Sequence, residues 1–98
     1  MTLNVLMISP GYPAEMPYFT RALSRVGARV VGLGDQPKEM LPVVAREHVA
    51  HHLQVRSLWD EAATIREVQR FTRQVRIDRV ECLWEPGMIL AEIGRAHV

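Results

Sequence analysis

Ser9, Gly11, Tyr12, Asp35 and Glu85 are the residues best placed to do chemistry, because each lies at or just past the end of a run of strand-forming residues. In an open parallel sheet, ligands collect outside the carboxyl ends of the strands, so the loops at those ends are where function is sought. The first loop, Ser9-Pro10-Gly11-Tyr12-Pro13-Ala14-Glu15, leads into a helix-like segment. Free N–H groups and the dipole at a helix start suit a phosphate or carboxylate. The loop is neither a G-x-G-x-x-G fingerprint nor a lysine-bearing G-x-x-x-x-G-K-[ST] loop, so nothing supports a dinucleotide or triphosphate held here alone, and a rigid helix-starting turn explains it equally well. Asp35 closes Gly32-Leu33-Gly34-Asp35, the position at which a dinucleotide-binding βαβ unit carries its ribose-holding acid, although an acid there also serves as a turn former. Glu81 and Glu85, four apart in an extended run, point to one face, and Glu85 falls at the end beside Pro86-Gly87. A carboxylate in that setting needs an arginine partner or an open crevice.

Other reactive side chains carry weaker signals. His48 and His52 have the spacing of two metal ligands on one helix face, but the H-E-x-x-H order and a third ligand are missing, so His48, His51 and His52 read as solvated surface histidines. Cys82 sits in an apolar run without a histidine neighbour and reads as a buried, inert thiol. Trp59 and Trp84 read as core or interface aromatics.

The elements that must hold these residues follow from periodicity. Leu3 to Ile8 is almost continuously apolar and stops at Ser9-Pro10-Gly11, the pattern of a strand buried on both faces. Met16, Phe19, Leu23 and Val26 form a helical stripe that starts near Glu15 or Met16, tolerates Pro17 in its first turn and ends at Gly27. Arg29 to Asp35 is a second strand, which completes a βαβ unit with parallel strands. Lys38 to Leu41 and a segment from Pro42 suggest short helical pieces, and His51 to Val55 alternates like an exposed strand. Asp60 caps a helix with Ala63, Ile65, Val68, Phe71, Thr72 and Val75 on its stripe, and Arg79 to Glu85 makes a fourth strand. The expected fold is therefore α/β: a Rossmann-like open parallel sheet of about four strands with helices on both faces, truncated at the C-terminus just after Met88-Ile89-Leu90-Ala91 begins a further helix.

Composition narrows the classes. With 98 residues there is room for one domain. Twelve basic and eleven acidic side chains give a net charge of +1 with no long run of one sign, which argues against nucleic-acid or membrane-surface binding. One cysteine cannot form an internal disulfide, so a reducing, cytoplasmic setting is expected, and the apolar N-terminus is too short for a membrane span and lacks the basic flank of a signal peptide. An uncovered sheet edge leaves homo-oligomerisation open. The last segment, residues 92–98 (Glu92-Ile93-Gly94-Arg95-Ala96-His97-Val98), resembles a translated sequencing adapter and is expected to be non-native, which leaves residues 1–91 as the domain.

Asn4-Val5-Leu6-Met7-Ile8-Ser9-Pro10-Gly11-Tyr12-Pro13, the Gly32-to-Asp35 turn, and Arg76-Ile77-Asp78-Arg79-Val80-Glu81 with Glu85 resemble, in order and spacing, the N-terminal region of ATP-grasp proteins. This is the pre-ATP-grasp, or biotin-carboxylase N-terminal-like, domain, and the likeness runs from about Thr2 to Ala91. It implies a Rossmann-like domain preceding an ATP-binding domain, in a family of ligases that join a carboxylate to an amine or other nucleophile through an acylphosphate using ATP and Mg. In that family the nucleotide sits mainly in later domains, whose lysines and metal-binding acids have no counterpart here. The resemblance thus implies a substrate-side fragment that is not catalytic alone, binds no cofactor by itself, and has the missing C-terminal ATP-grasp domains and a small-molecule carboxylate or amine substrate as partners. Ser9, Gly11, Tyr12 and Glu85 are the positions carried over as substrate-binding, with Asp35 behind them.

Two other classes share the strand–helix alternation. A flavodoxin- or response-regulator-like binding module would use Asp35 and Glu85 for structure or docking, but a receiver domain needs acids where Ser9-Pro10-Gly11 and Arg56-Ser57 stand. The N-terminal domain of a nucleotide-sugar-dependent transferase also opens with a strand and a Pro-Gly loop.

Overall fold

The structure, a computed structural model, describes residues 2–82. It contains β1 (Asn4–Ile8), α1 (Met16–Arg25), β2 (Arg29–Gly34), a 3-10 turn (Lys38–Met40), α2 (Val43–His48), β3 (Val49–Gln54), α3 (Glu61–Thr72) and β4 (Arg79–Glu81). The strands form one sheet in the order β3-β2-β1-β4, and every pairing is parallel. β1 occupies the interior of the sheet, which is why its sequence lacks a polar alternation: Val5, Leu6, Met7 and Ile8 are all buried.

The order of the strands explains the placement of the helices. The chain steps outward from β1 to β2 to β3 and then returns past β1 to β4. A right-handed crossover puts the helices of outward steps on one face and the helix of the return step on the other. Accordingly α1 and α2 pack with Met7, Val30 and Val49 over one face, through Met16 and Ala45. On the opposite face α3 packs through Val68, with Phe71 at its margin, over Leu6, Ile8, Val31, Leu33 and Val80. Helices therefore cover both faces, as the alternation of elements predicts.

Local signals set the element ends. Pro17 lies in the first turn of α1, and Gly27 takes φ 95° just past its end, a conformation that costs glycine little. The Asp60 carboxylate accepts a hydrogen bond from the Ala63 N–H at 3.0 Å, the expected N-cap of α3. Asp78 ties the start of β1 to β4. Its carboxylate accepts from the Asn4 N–H at 2.8 Å, and its own N–H donates to the Asn4 carbonyl at 2.8 Å.

Some expectations are corrected. On α1 the buried residues are Met16, Pro17 and Thr20, whereas Phe19 is partly exposed and Val26 lies 82% exposed. Phe19, Leu23 and Val26 instead border a groove with Leu3 and Val5, on the side of α1 toward β4. On α3 the buried residues are Thr64 and Val68; Val68 belongs to the expected stripe, whereas Ala63 and Ile65 of that stripe are half-buried. Trp59, 69% exposed, is not a core residue, and Cys82 is only partly buried at the margin of the α3-side core. Strand β3 begins at Val49, two residues earlier than the His51 start its alternation suggests.

The early start of β3 has a structural reason. Val30 pairs with Val49, but Val31 pairs with His51, so Ala50 is an extra residue that forms a bulge. The bulge reverses the side-chain parity of the rest of the strand. His51 falls on the α3 face, where its ring meets Phe71 edge-on at 5.6 Å, and His52 falls on the α1–α2 face opposite Gly32.

Candidate functional site

The carboxyl ends of β1 and β2 open onto a cleft of about 610 Å³. One wall is the loop after β1, with Ser9, Pro10, Gly11 and Tyr12; another is the end of β2, with Gly34, Asp35 and Gln36. Leu41 and Pro42 face these from the segment before α2, and His52 comes from β3. Four of the five residues singled out in the sequence, Ser9, Gly11, Tyr12 and Asp35, are thus brought to one place. Glu85 lies outside the described residues. Glu81 borders the groove beside α1 that holds Leu3 and Phe19, not the cleft.

The first loop is tightly folded. Ser9 adopts φ 60°, the left-handed region that a side chain disfavours by roughly 1 kcal/mol. Its N–H donates to the Leu33 carbonyl at 2.8 Å, extending the β1–β2 ladder, and its hydroxyl donates to the Tyr12 carbonyl at 2.9 Å. The Tyr12–Pro13 peptide is cis, and Tyr12 projects with 63% exposure.

The start of α1 departs from the anion cradle its position suggests. The Met16 N–H donates to the Pro13 carbonyl at 2.9 Å, and the Tyr18 and Phe19 N–H groups both donate to the Glu15 carbonyl at 3.1 Å. Pro17 has no N–H to offer. The first-turn donors that would meet a phosphate are therefore committed within the chain, and the N-cap residue, Glu15, is itself an acid.

His52 is the cleft residue that sequence reasoning missed. Its ring fits the space left by the missing side chain of Gly32: a Cβ there would come within 2.6 Å of Nδ1 and 3.1 Å of Pro10 Cγ. Nε2 lies 2.7 Å from the Gln36 carbonyl, which can only accept, so Nε2 carries the proton and fixes the segment beside Asp35. Nδ1 is buried without a hydrogen-bond partner among the described residues. His52 is accordingly not a solvated surface histidine, while His48 bonds its ring to the Val44 carbonyl one turn back. The three histidines do not converge, and no group of three metal-binding side chains occurs among the described residues. The signal that could have exposed His52 is the β3 bulge, which leaves no mark in residue type.

Among the described residues, Asp35 is the one formally charged side chain lining the cleft, and it is exposed at the rim. A charge pair lies elsewhere, on α3, where hydrogen bonding and charge attraction to Glu67 hold the Arg70 guanidinium above its usual pKa. No helix among the described residues is long and apolar enough to cross a membrane.

The fold and the cleft together define a Rossmann-like α/β domain with a ligand-sized opening at its strand tips. No family model matches the chain, and no curated protein matches it. Among solved structures it is similar to the L-amino acid ligase from Bacillus licheniformis, with a TM-score of 0.75 and 18% sequence identity. The match covers 96% of this chain and 23% of that one, so the chain has the fold of part of that enzyme and spans under a quarter of its length.

Proposed function

We propose that this chain is the substrate-side, N-terminal pre-ATP-grasp domain of an ATP-dependent carboxylate–amine ligase, and that it is not catalytic alone. The carrying observation is the convergence of Ser9, Gly11, Tyr12 and Asp35 in one cleft at the strand tips, on a fold similar to part of an L-amino acid ligase. The side chains present do not suit Mg-ATP. Among the described residues the cleft lining holds one acid and neither lysine nor arginine, and the first-turn N–H groups of Met16 and Tyr18 in α1 are already bonded. On this reading the nucleotide and metal belong to further ATP-grasp domains, and this chain supplies a wall that holds a substrate. Tyr12 and Met40 line the cleft, Tyr18 and Val43 border a second opening that shares Tyr12, and these four large exposed side chains suit contact with those domains.

The test is ADP release by the longer protein encoded at the same locus, assayed with ATP, Mg and panels of carboxylates and amines. Release that depends on both a carboxylate and an amine is expected. No ATP-dependent release with any pair contradicts the proposal.

A further inference from the structure

We infer that α1 is the contact surface of a two-fold dimer, in which a second copy of this chain lays its own α1 antiparallel over the exposed face formed by Glu15, Phe19, Ala22 and Val26. The inference goes beyond the ligase reading and uses none of the residues on which that reading rests. Helix α1 buries Met16, Pro17 and Thr20 against the sheet side and carries apolar residues on the side turned to solvent. Phe19 and Val26 are large and exposed, and Ala22 is exposed between them. Leu3, also exposed, widens the patch, since it borders the same groove as Phe19, Leu23 and Val26. Exposed apolar side chains grouped in this way mark an interaction surface, whereas scattered ones need no explanation. Glu15, Phe19, Ala22 and Val26 follow one another at steps of four, three and four residues, the repeat by which one helix packs along another.

The face is its own complement. A two-fold axis passing between Phe19 and Ala22 sets Phe19 against the partner's Ala22 in two places, so the largest side chain of the stripe meets the smallest. The same axis brings Glu15 beside the partner's Arg25 at each end. Glu15 and Arg25 are both exposed, lie about 15 Å apart along the helix, and make no ion pair among the described residues. An antiparallel copy therefore matches acid to base twice, while a parallel copy would set like charge on like. Reversal also opposes the two helix dipoles. A partner of one charge sign would answer only half of this face; a reversed copy of the same helix answers all of it.

The experiment is sedimentation equilibrium of the 98-residue chain from about 10 µM to about 1 mM, the range in which a small interface associates. The mass is expected to rise from that of one chain toward that of two as the concentration increases. Ala22→Lys, at an exposed helix position, should keep the circular dichroism spectrum and abolish the dimer, because it sets an ammonium group against the partner's Phe19. Glu15→Arg and Arg25→Glu each bring like charges together at both ends and should weaken the dimer about fivefold or more. Mixed in equal amounts, these two variants match at both ends and should form a heterodimer with an affinity within about twofold of the parent's. A role confined to the folding of α1 would give no such restoration on mixing. The mass of a single chain at about 1 mM overturns the inference and leaves the face to a different occupant. A dimer indifferent to Ala22→Lys, or charge variants that stay monomeric when mixed, overturns it as well.

Discussion

Gly32 and His52 constrain one another across β2 and β3, and the cleft depends on the pair. A methyl group at position 32 would meet His52 Nδ1 at 2.6 Å, so Gly32→Ala must push the ring out of its slot. Overpacking of that kind costs about 1–3 kcal/mol. In a His52→Ala background the same change should cost less, because the nearer obstacle is gone and only Pro10 Cγ at 3.1 Å remains, and a double-mutant cycle by chemical denaturation measures the coupling. Ser9 poses a different trade. Ser9→Ala keeps the unfavourable φ and loses the bond to the Tyr12 carbonyl, so it should destabilise by about 1 kcal/mol. Ser9→Gly loses the same bond but relieves the backbone, and should stay within about 0.5 kcal/mol of the parent. Equal losses in the two variants, read from thermal unfolding, would refute the account of strain at Ser9. Of the residues that line the cleft, Ser9, Gly11, Tyr12 and Asp35 were legible because each follows a strand whose apolar run is plain in the sequence. His52 was not, since its direction depends on the unpaired Ala50 and not on any property of histidine.

Among the elements, β1 and α3 declared themselves through unbroken apolar character and through Asp60, whose capping bond occurs as expected. The faces of α1 were harder to read. Its stripe of Met16, Phe19, Leu23 and Val26 is regular, yet the residue most deeply buried beside Met16 is Thr20, at 0% exposure. Hydropathy cannot foresee a buried threonine, because burial there follows from where α1 crosses β1 and β2. The Thr20 hydroxyl has no hydrogen-bond partner among the described residues, so it carries a desolvation cost without compensation. Thr20→Val keeps the shape and removes that cost. It should leave α1 intact and raise stability by up to about 1 kcal/mol in urea unfolding, whereas a loss above that size would mean that the hydroxyl is bonded after all. β3 was placed two residues late for the reason that hides His52: a bulge shifts parity within a short strand, and alternation is then read from the wrong end.

At the scale of the whole molecule, parallel order follows from alternation of strands and helices, and the return of the chain past β1 places α3, alone among the described helices, on the second face. On one side of β1, Asn4 to Ile8 pair with Arg29 to Leu33; in the join to β4, the described residues pair Val5 to Met7 with Arg79 to Glu81. Asp78 reinforces it by accepting from the Asn4 N–H and pairing with Arg76 at 3.1 Å. Asp78→Ala leaves the part-buried Asn4 N–H without that acceptor, a cost of about 1–3 kcal/mol. Hydrogen exchange should then speed up in β4 and at the start of β1 while β2 and β3 keep their protection, and uniform acceleration throughout the sheet would contradict a local role.

The central claim is that the opening at the tips of β1 and β2 is where substrate is held. Gly34 lines it, and a Cβ there meets only ordinary contacts, 3.6 Å to His52 and 3.9 Å to Pro10, so a larger side chain can enter the opening without breaking the strand. The direct measurement is ATP-dependent ADP release by the longer protein carrying Gly34→Leu, with folding verified by circular dichroism. A fall of more than about tenfold is predicted, because the filled cleft can no longer orient substrate. Undiminished release from a correctly folded Gly34→Leu protein would contradict it.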